Sequence, residues 1–220
     1  MTMKPSAIEI ILIVMMVMLF VVGLMVYPAM PEHMVSHWDS DGRPNGLSSR
    51  FMGVFFFPII MCGLTLLFFA IPRIDPLREN IRQFRLSFER FVLIFFLIMA
   101  ALYVDTLLWN AGVHVSMKSI IVGGLALLLY AVGSLCDKAK RNYFIGIRTP
   151  WTLNSDSVWD KTHKLGSKLF RIAALVVALG IIFPGSMLWF LLAPIVAVTL
   201  FLIVYSYVEY EREQPKTARP

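Results

Sequence analysis

The sequence predicts an all-α, polytopic membrane protein with six transmembrane helices and both termini in the cytoplasm. Three observations carry that reading. The 220-residue chain is 58% hydrophobic and only 15% charged, far from the balance of a soluble domain. Long apolar stretches recur near 7–27, 51–71, 90–109, 119–135, 169–183 and 187–207, and a bilayer core of roughly 30 Å needs about 20 apolar residues per helix. With the intervening segments placed alternately inside and outside, 17 of the 20 basic residues fall on the N-terminal side, leaving Arg43, Arg50 and Lys118 opposite. Lysine and arginine accumulate in cytoplasmic loops, so that side is the cytosolic one and the chain belongs in the cell membrane.

The first span, Ala7 to Tyr27, is too long for the apolar core of a signal peptide and lacks a small-residue cleavage site, so it reads as a retained anchor. Its one charge, Glu9, sits near the cytoplasmic end. The outside loop, 28–50, holds Asp41-Gly42, Arg43-Pro44 and Asn45-Gly46, turn formers that predict an ordered cap with room for a short hairpin. Glu32–Trp38 is expected to form one or two helical turns at the interface. The second span opens on Phe51, Phe55, Phe56 and Phe57, with Pro58 one turn in as a source of a kink. Residues 1–72 thus form a two-helix membrane domain.

Residues 73–89 form a cytoplasmic linker in which Leu77, Ile81, Phe84 and Phe88 recur at helical spacing beside arginines. That stripe predicts a helix lying in the membrane surface. Residues 90–210 form a four-helix membrane domain, and 211–220 a polar, disordered tail. Within the four-helix domain, Gly123, Gly124 and Gly133 permit close helix contacts. The fifth span is short, since Arg171 and Pro184 bracket its apolar part; Lys168 and Arg171 extend it by snorkelling. Cys62 and Cys136 fall at different membrane depths and are expected to be free thiols.

The densest motif lies between the fourth and fifth spans. Gly146 permits a close turn, and Pro150 disfavours helix at Thr149. Asn154, Ser155 and Asp156 offer N-cap oxygens, after which Trp159, His163, Gly166 and Phe170 mark one helix face. The segment reads either as an interfacial elbow, with Arg148 on a phosphate or on helix carbonyls, or as a docking surface for a cytoplasmic protein.

Arg141, Asn142, Gly146, Arg148, Thr149, Pro150, Trp151, Thr152, Trp159, His163 and Gly166 together resemble the signature of the SdpI family. These are multi-pass membrane proteins named for immunity to a secreted, sporulation-delaying peptide toxin. Pro31, His37, Trp38, Gly42, Pro44 and Gly46 resemble the loop of a small uncharacterised domain that often precedes the family core. The resemblance implies a prokaryotic membrane protein with two roles. One is protection from a membrane-active peptide; the other is signalling, by holding a cytoplasmic transcriptional repressor at the membrane. The expected partners are therefore the toxin, the repressor and membrane lipids. The expected peptide site is the outer end, at Phe51, Asp105 and Trp109, from which binding re-exposes the Arg148–Trp151 loop.

Other chemistry is weaker. The net charge of +6 follows the positive-inside pattern and accompanies no nucleic-acid motif, so direct nucleic-acid binding is not expected. His33 and His37 would share a helix face and, with Asp39 or Asp41, form a weak metal candidate; no zincin glutamate lies between them. Asp105 is an acid inside a span, suited to a relay, a substrate contact or a bond to a neighbouring polar group. A membrane enzyme or transporter using His37, Asp105 or His163 and a purely structural or lipid-binding bundle are the rival readings. No hydrolase triad, phosphate loop or cysteine pair is present, and neither a cofactor nor an enzyme is expected.

Overall fold

The computed structural model describes residues 5–214. The chain divides into two compact units, one of Met1–Ala70 with Val92–Gly124 and the other of Ile71–Phe91 with Leu125–Pro220.

In the first unit, α1 (Ala7–Val26) begins at a reciprocal cap. Glu9 N–H donates to Ser6 Oγ and Ser6 N–H donates to Glu9 Oε2, each at 3.1 Å. The one charge of this helix thus serves its N-terminus, where orphan amide donors need an acceptor. A 3-10 turn at Tyr27–Ala29 leads to an antiparallel hairpin of β1 (His33–Trp38) and β2 (Pro44–Ser49). The helical turns expected over Glu32–Trp38 are therefore a strand, and the all-α class gains a small sheet. The turn explains why: Asp39 Oδ1 accepts from the amides of Asp41 and Arg43 at 2.9 Å, and Gly42 takes φ +78°. That closure brings the two strands into register and gives β1 a pairing partner instead of an internal helical ladder. The amide of Arg43 also holds the Asp39 carboxyl below its usual range.

The hairpin is fixed to helices of its own unit. Met34 is fully buried, and a Cβ at Gly53 would come within 2.7 Å of its sulfur. Gly53 lies on α2 (Arg50–Ile74), which runs unbroken through Pro58. Asn110, the last residue of α4 (Arg85–Asn110), accepts from Val35 N–H at 2.7 Å and donates to Val35 C=O at 2.9 Å. One side-chain amide thereby satisfies both backbone groups of an edge-strand residue. The helix α5 (Met117–Cys136) follows, packed closely enough at Gly124 that a Cβ would lie 2.7 Å from Ile98.

In the second unit, Ile81, Phe84 and Phe88 are all buried in protein. The stripe expected to lie on the membrane surface is instead covered by protein. The helix also breaks at Phe84, between α3 (Arg78–Gln83) and α4. Asp75, buried just after α2, accepts from Leu77 N–H at 2.6 Å and Tyr143 N–H at 2.9 Å. The short α6 (Pro150–Asn154) precedes α7 (Asp156–Leu179), whose N-cap is Ser155, the middle one of the three candidates the sequence offers. A 3-10 turn at Pro184–Ser186 then leads to α8 (Met187–Glu213). Polar contacts stitch the start of α7 to the end of α8: Ser155 Oγ donates to Glu213 at 2.8 Å, and Lys161 Nζ lies 3.0 Å from Glu209. These anchors carry the helix to Glu213, past the 211 boundary expected for the tail; 215–220 lie outside the described residues.

Among the described residues, five helical stretches are long and apolar enough to cross a membrane: Ala7–Ala29, Arg50–Ile74, Arg85–Asn110, Met117–Cys136 and Met187–Glu213. The 24-residue α7 is not one of them. Its first half is polar and holds Lys161 and Lys164, and Lys168 and Arg171 lie within its second.

Candidate functional site

The connector between α5 and α7 is built around two buried side chains. Asn142, with 0% exposure, uses its whole amide. Its Oδ1 accepts from Phe144 and Ile145 N–H at 2.9 and 2.6 Å, and its Nδ2 donates to the carbonyls of Lys140 and Ile145 at 2.8 and 2.9 Å. Four bonds from one side chain fold 140–145 into a tight loop without strand or helix. The second is His163 on α7. Ile147 N–H donates to its Nε2 at 2.9 Å, which leaves the ring proton on Nδ1, 2.9 Å from the Trp159 carbonyl. The Trp159 ring stacks on the imidazole at 3.9 Å between centroids, and its indole N–H donates to Ala139 C=O at 2.9 Å.

Gly146 makes this possible. Its φ is +114°, and a Cβ there would collide with His163 Nε2 and approach Trp159 to 3.3 Å. Only a residue without a side chain lets the backbone lie on the imidazole and present the next amide to it. Gly166, a turn further along α7, gives similar room: a Cβ there would meet Ile147 at 2.5 Å. At Gly133, a Cβ would lie 2.8 Å from Ser167 C=O, so α5 and α7 approach closely there.

The Thr149-Pro150-Trp151-Thr152 run is a capped start to α6. Thr149 N–H donates to Thr152 Oγ1 at 2.9 Å and Thr152 N–H donates to Thr149 Oγ1 at 3.2 Å, while Pro150 takes the first helical position. The Thr149 and Ser206 hydroxyls lie 3.0 Å apart and the Trp151 ring lies 5.2 Å from Tyr207, which ties α6 to α8. Arg141 donates from Nη1 to Leu153 C=O at 2.9 Å, and its Nε lies 2.7 Å from Asp156 in an ion pair not aligned as a hydrogen bond. Arg148 is exposed and donates to Tyr143 C=O at 2.6 Å, a loop carbonyl rather than the helix carbonyls expected for it.

The motif residues divide by burial. Asn142, Thr149, Thr152, Trp159, His163 and Gly166 are buried framework, against which the Gly146 backbone packs. Arg148 stands at an exposed apex, together with Tyr143 and Phe144, which are 49% and 38% exposed. Sequence reading missed this aromatic pair, as it missed Asp75 and Asn80, which hold the loop from outside it; Asn80 Nδ2 donates to Arg141 C=O at 2.8 Å. The Asp75-Pro76 dipeptide is a turn signal that marks the first of these.

In the first unit, His37 bonds Asn45 through Nδ1, and Gly46 lies opposite it. The register slips on both sides of His37, so the shared-face argument for His33 and His37 does not apply. Asp39 is committed to its turn, and among the described residues no three His, Cys, Asp or Glu side chains are grouped to hold a metal. Trp38, paired with Pro44, meets Trp109 edge-on at 5.8 Å, and Trp109 meets His114 at 4.4 Å. Phe51 and Phe55 lie 5.4 Å apart, and Asp105 is buried on α4. Both thiols are free.

Fold and site together define a multi-pass membrane protein with a rigidly framed connector. Residues 138–206 match the SdpI/YfhL protein family, and residues 14–62 match a domain of unknown function, DUF1648. The chain is 27% identical over 208 residues to the immunity protein SdpI of Bacillus subtilis (strain 168), covering 94% of this chain and 95% of that one. The SdpI-family resemblance read from the motif therefore holds, with the DUF1648 segment before it. No solved structure matches the chain.

Two outcomes follow from the connector. Gly146→Ala should destabilise the chain by about 2–4 kcal/mol, through left-handed backbone strain and overpacking on His163, with faster proteolysis at 137–149. An unchanged unfolding midpoint in detergent would contradict the packing. The second concerns pH. Burial lowers His163 from 6.5 to about 4, so the folded state resists its protonation. Its contribution, at most about 3 kcal/mol, is complete above pH 6.5 and is lost as pH falls through about 4. Thermal scans should show that loss, flattened in His163→Gln, whose amide oxygen accepts from Ile147 without titrating.

Proposed function

We propose that this protein is a membrane immunity protein without enzymatic activity, protecting its cell from a secreted peptide toxin and passing the encounter to a cytoplasmic regulator. The observation that carries the reading is end-to-end similarity to an immunity protein, with both matched segments in place. The internal bonding of the connector supports its docking half. Its buried polar groups are spent on the fold: both His163 nitrogens engage backbone, which leaves no lone pair for a metal and no free site for a proton relay. What faces outward is Tyr143, Phe144 and Arg148, an aromatic–cationic apex of the kind that dominates protein interfaces.

In this reading the chain has six passes. The apolar half of α7 and the residues up to Phe183 make the short fifth one, its lysines and Arg171 reaching back to the headgroups. Both termini and the connector are then cytosolic, and the hairpin faces out. Single cysteines at positions 40 and 150 of a cysteine-free chain should label from opposite sides of the membrane. Labelling from the same side would remove the topology and the function built on it.

Expressed in a strain sensitive to its cognate peptide, the chain should restore growth. Tyr143→Ala or Arg148→Ala should leave insertion and unfolding temperature unchanged yet weaken regulator recruitment roughly tenfold, as loss of an interface anchor does. Trp151→Ala, which loosens α6 from Tyr207, should lower both. Intact recruitment in all three variants would assign the connector a structural role alone, and unchanged sensitivity of cells bearing the inserted chain would refute immunity.

A further inference from the structure

Among the described residues both units hold buried polar atoms without a hydrogen-bond partner, Thr162 Oγ1 and Arg171 Nε among them in the second, but only in the first is one of these groups a carboxylate. Asp105 is 2% exposed, and neither carboxylate oxygen has a hydrogen-bond partner among the described residues. The indole N–H of Trp38 and the hydroxyl of Tyr103 in the same unit are also buried without one. Folded proteins pair such groups almost without exception, and an unpaired acid in a membrane helix is among the costliest departures. A group of this kind calls for an explanation, and a bound water, ion or ligand each supplies one.

The surroundings say what kind of ligand. Trp109 lies four residues beyond Asp105, on the same helix face. Trp38 packs edge-on against Trp109, and His114 lies 4.4 Å from the same indole. A carboxylate with aromatic rings one turn above it is the chemistry that holds an organic cation, by charge and by ring faces. A metal ion would need several more oxygen or nitrogen donors. Beside this face, at Thr106, lies a cavity of about 380 Å³ walled by Ser36, Ser48, Met52, Phe56 and Phe57, suited to an apolar group. Asp105 lies five residues below the end of α4, about 7.5 Å along the helix axis. The flexible apolar stem of a lysine or arginine spans a comparable depth.

We propose that Asp105 anchors a binding site for a cationic side chain, with Trp38 and Trp109 as its aromatic walls and the Thr106 cavity taking an adjoining apolar group. The identification of that side chain as belonging to the toxin rests on the immunity reading; the site itself does not. It makes Asp105 a recognition residue, selective for peptides that present a guanidinium or amine beside an apolar residue.

The test uses the full chain in phosphatidylcholine–phosphatidylglycerol nanodiscs, which contain no primary headgroup amine. Hexylguanidinium chloride is titrated against its uncharged counterpart, hexylurea, with tryptophan emission as the readout. The wild type should respond saturably to hexylguanidinium and at least tenfold more weakly to hexylurea. Asp105→Asn should lose at least tenfold in affinity with its unfolding temperature unchanged, and Asp105→Glu should retain most of it. Equal affinity for the two probes, no saturable response, or full affinity in Asp105→Asn would overturn the site. Should Asp105→Asn fail to fold, the wild-type contrast and Asp105→Glu still decide. Cation binding through Asp105 in a chain that confers no toxin resistance would leave the site standing and remove the immunity reading. Resistance without such binding would do the reverse.

Discussion

The connector depends on a missing atom. Because Gly146 has no Cβ, its backbone lies against the edge of His163, and the Ile147 amide reaches the imidazole nitrogen. That single bond fixes the tautomer, and the tautomer directs the other ring nitrogen to the Trp159 carbonyl. Trp159, stacked on the same ring, then reaches back to Ala139 before the loop begins. The loop is held by one face of one helix near its start, at Ala139, and near its exit, at Ile147. Burial of the imidazole disfavours its charged form, so the same arrangement keeps the contact neutral at physiological pH.

Around this contact, the polar residues close on themselves. Asn142 uses every donor and acceptor it has, and Thr149 with Thr152 caps α6 reciprocally. Asp75 and Asn80 secure the loop from the preceding segment. Such a framework leaves little for solvent or ligand except what is held outside it. The exposed Tyr143, Phe144 and Arg148 therefore sit on a stiff base, which lowers the ordering cost a partner meets on binding. In the first unit the contrast is sharp. Asn110 and Met34 pin the hairpin by hydrogen bonds to Val35 and by tight packing on Gly53, while Asp105, five residues along the same helix, has neither oxygen bonded among the described residues.

Five of the apolar spans, and the helical face of the motif, were legible because they are written in local periodicity and in residue types with narrow conformational roles. Ser155 as a cap and Gly146 as a close turn are of that kind. Glu32–Trp38 was not: its apolar spacing suits a helix or a strand, and only closure of the Asp39 turn and pairing with β2 decides between them. The 73–89 stripe shows the other failure. Its period is right, but a period reveals that a face is buried and not whether lipid or protein buries it.

The sequence by itself determined that this chain lives in a membrane, where its long apolar helices run, and to which family its motif is similar, since each is a property of composition or of residues close in the chain. Only the tertiary structure decided which motif residues are framework and which are surface, that Asp75 and Tyr143 meet across 68 residues, and that Asp105 lacks a partner among the described residues. The physical reason is that burial and hydrogen bonding are shared between segments far apart in the chain, and neither segment alone states what the other will satisfy.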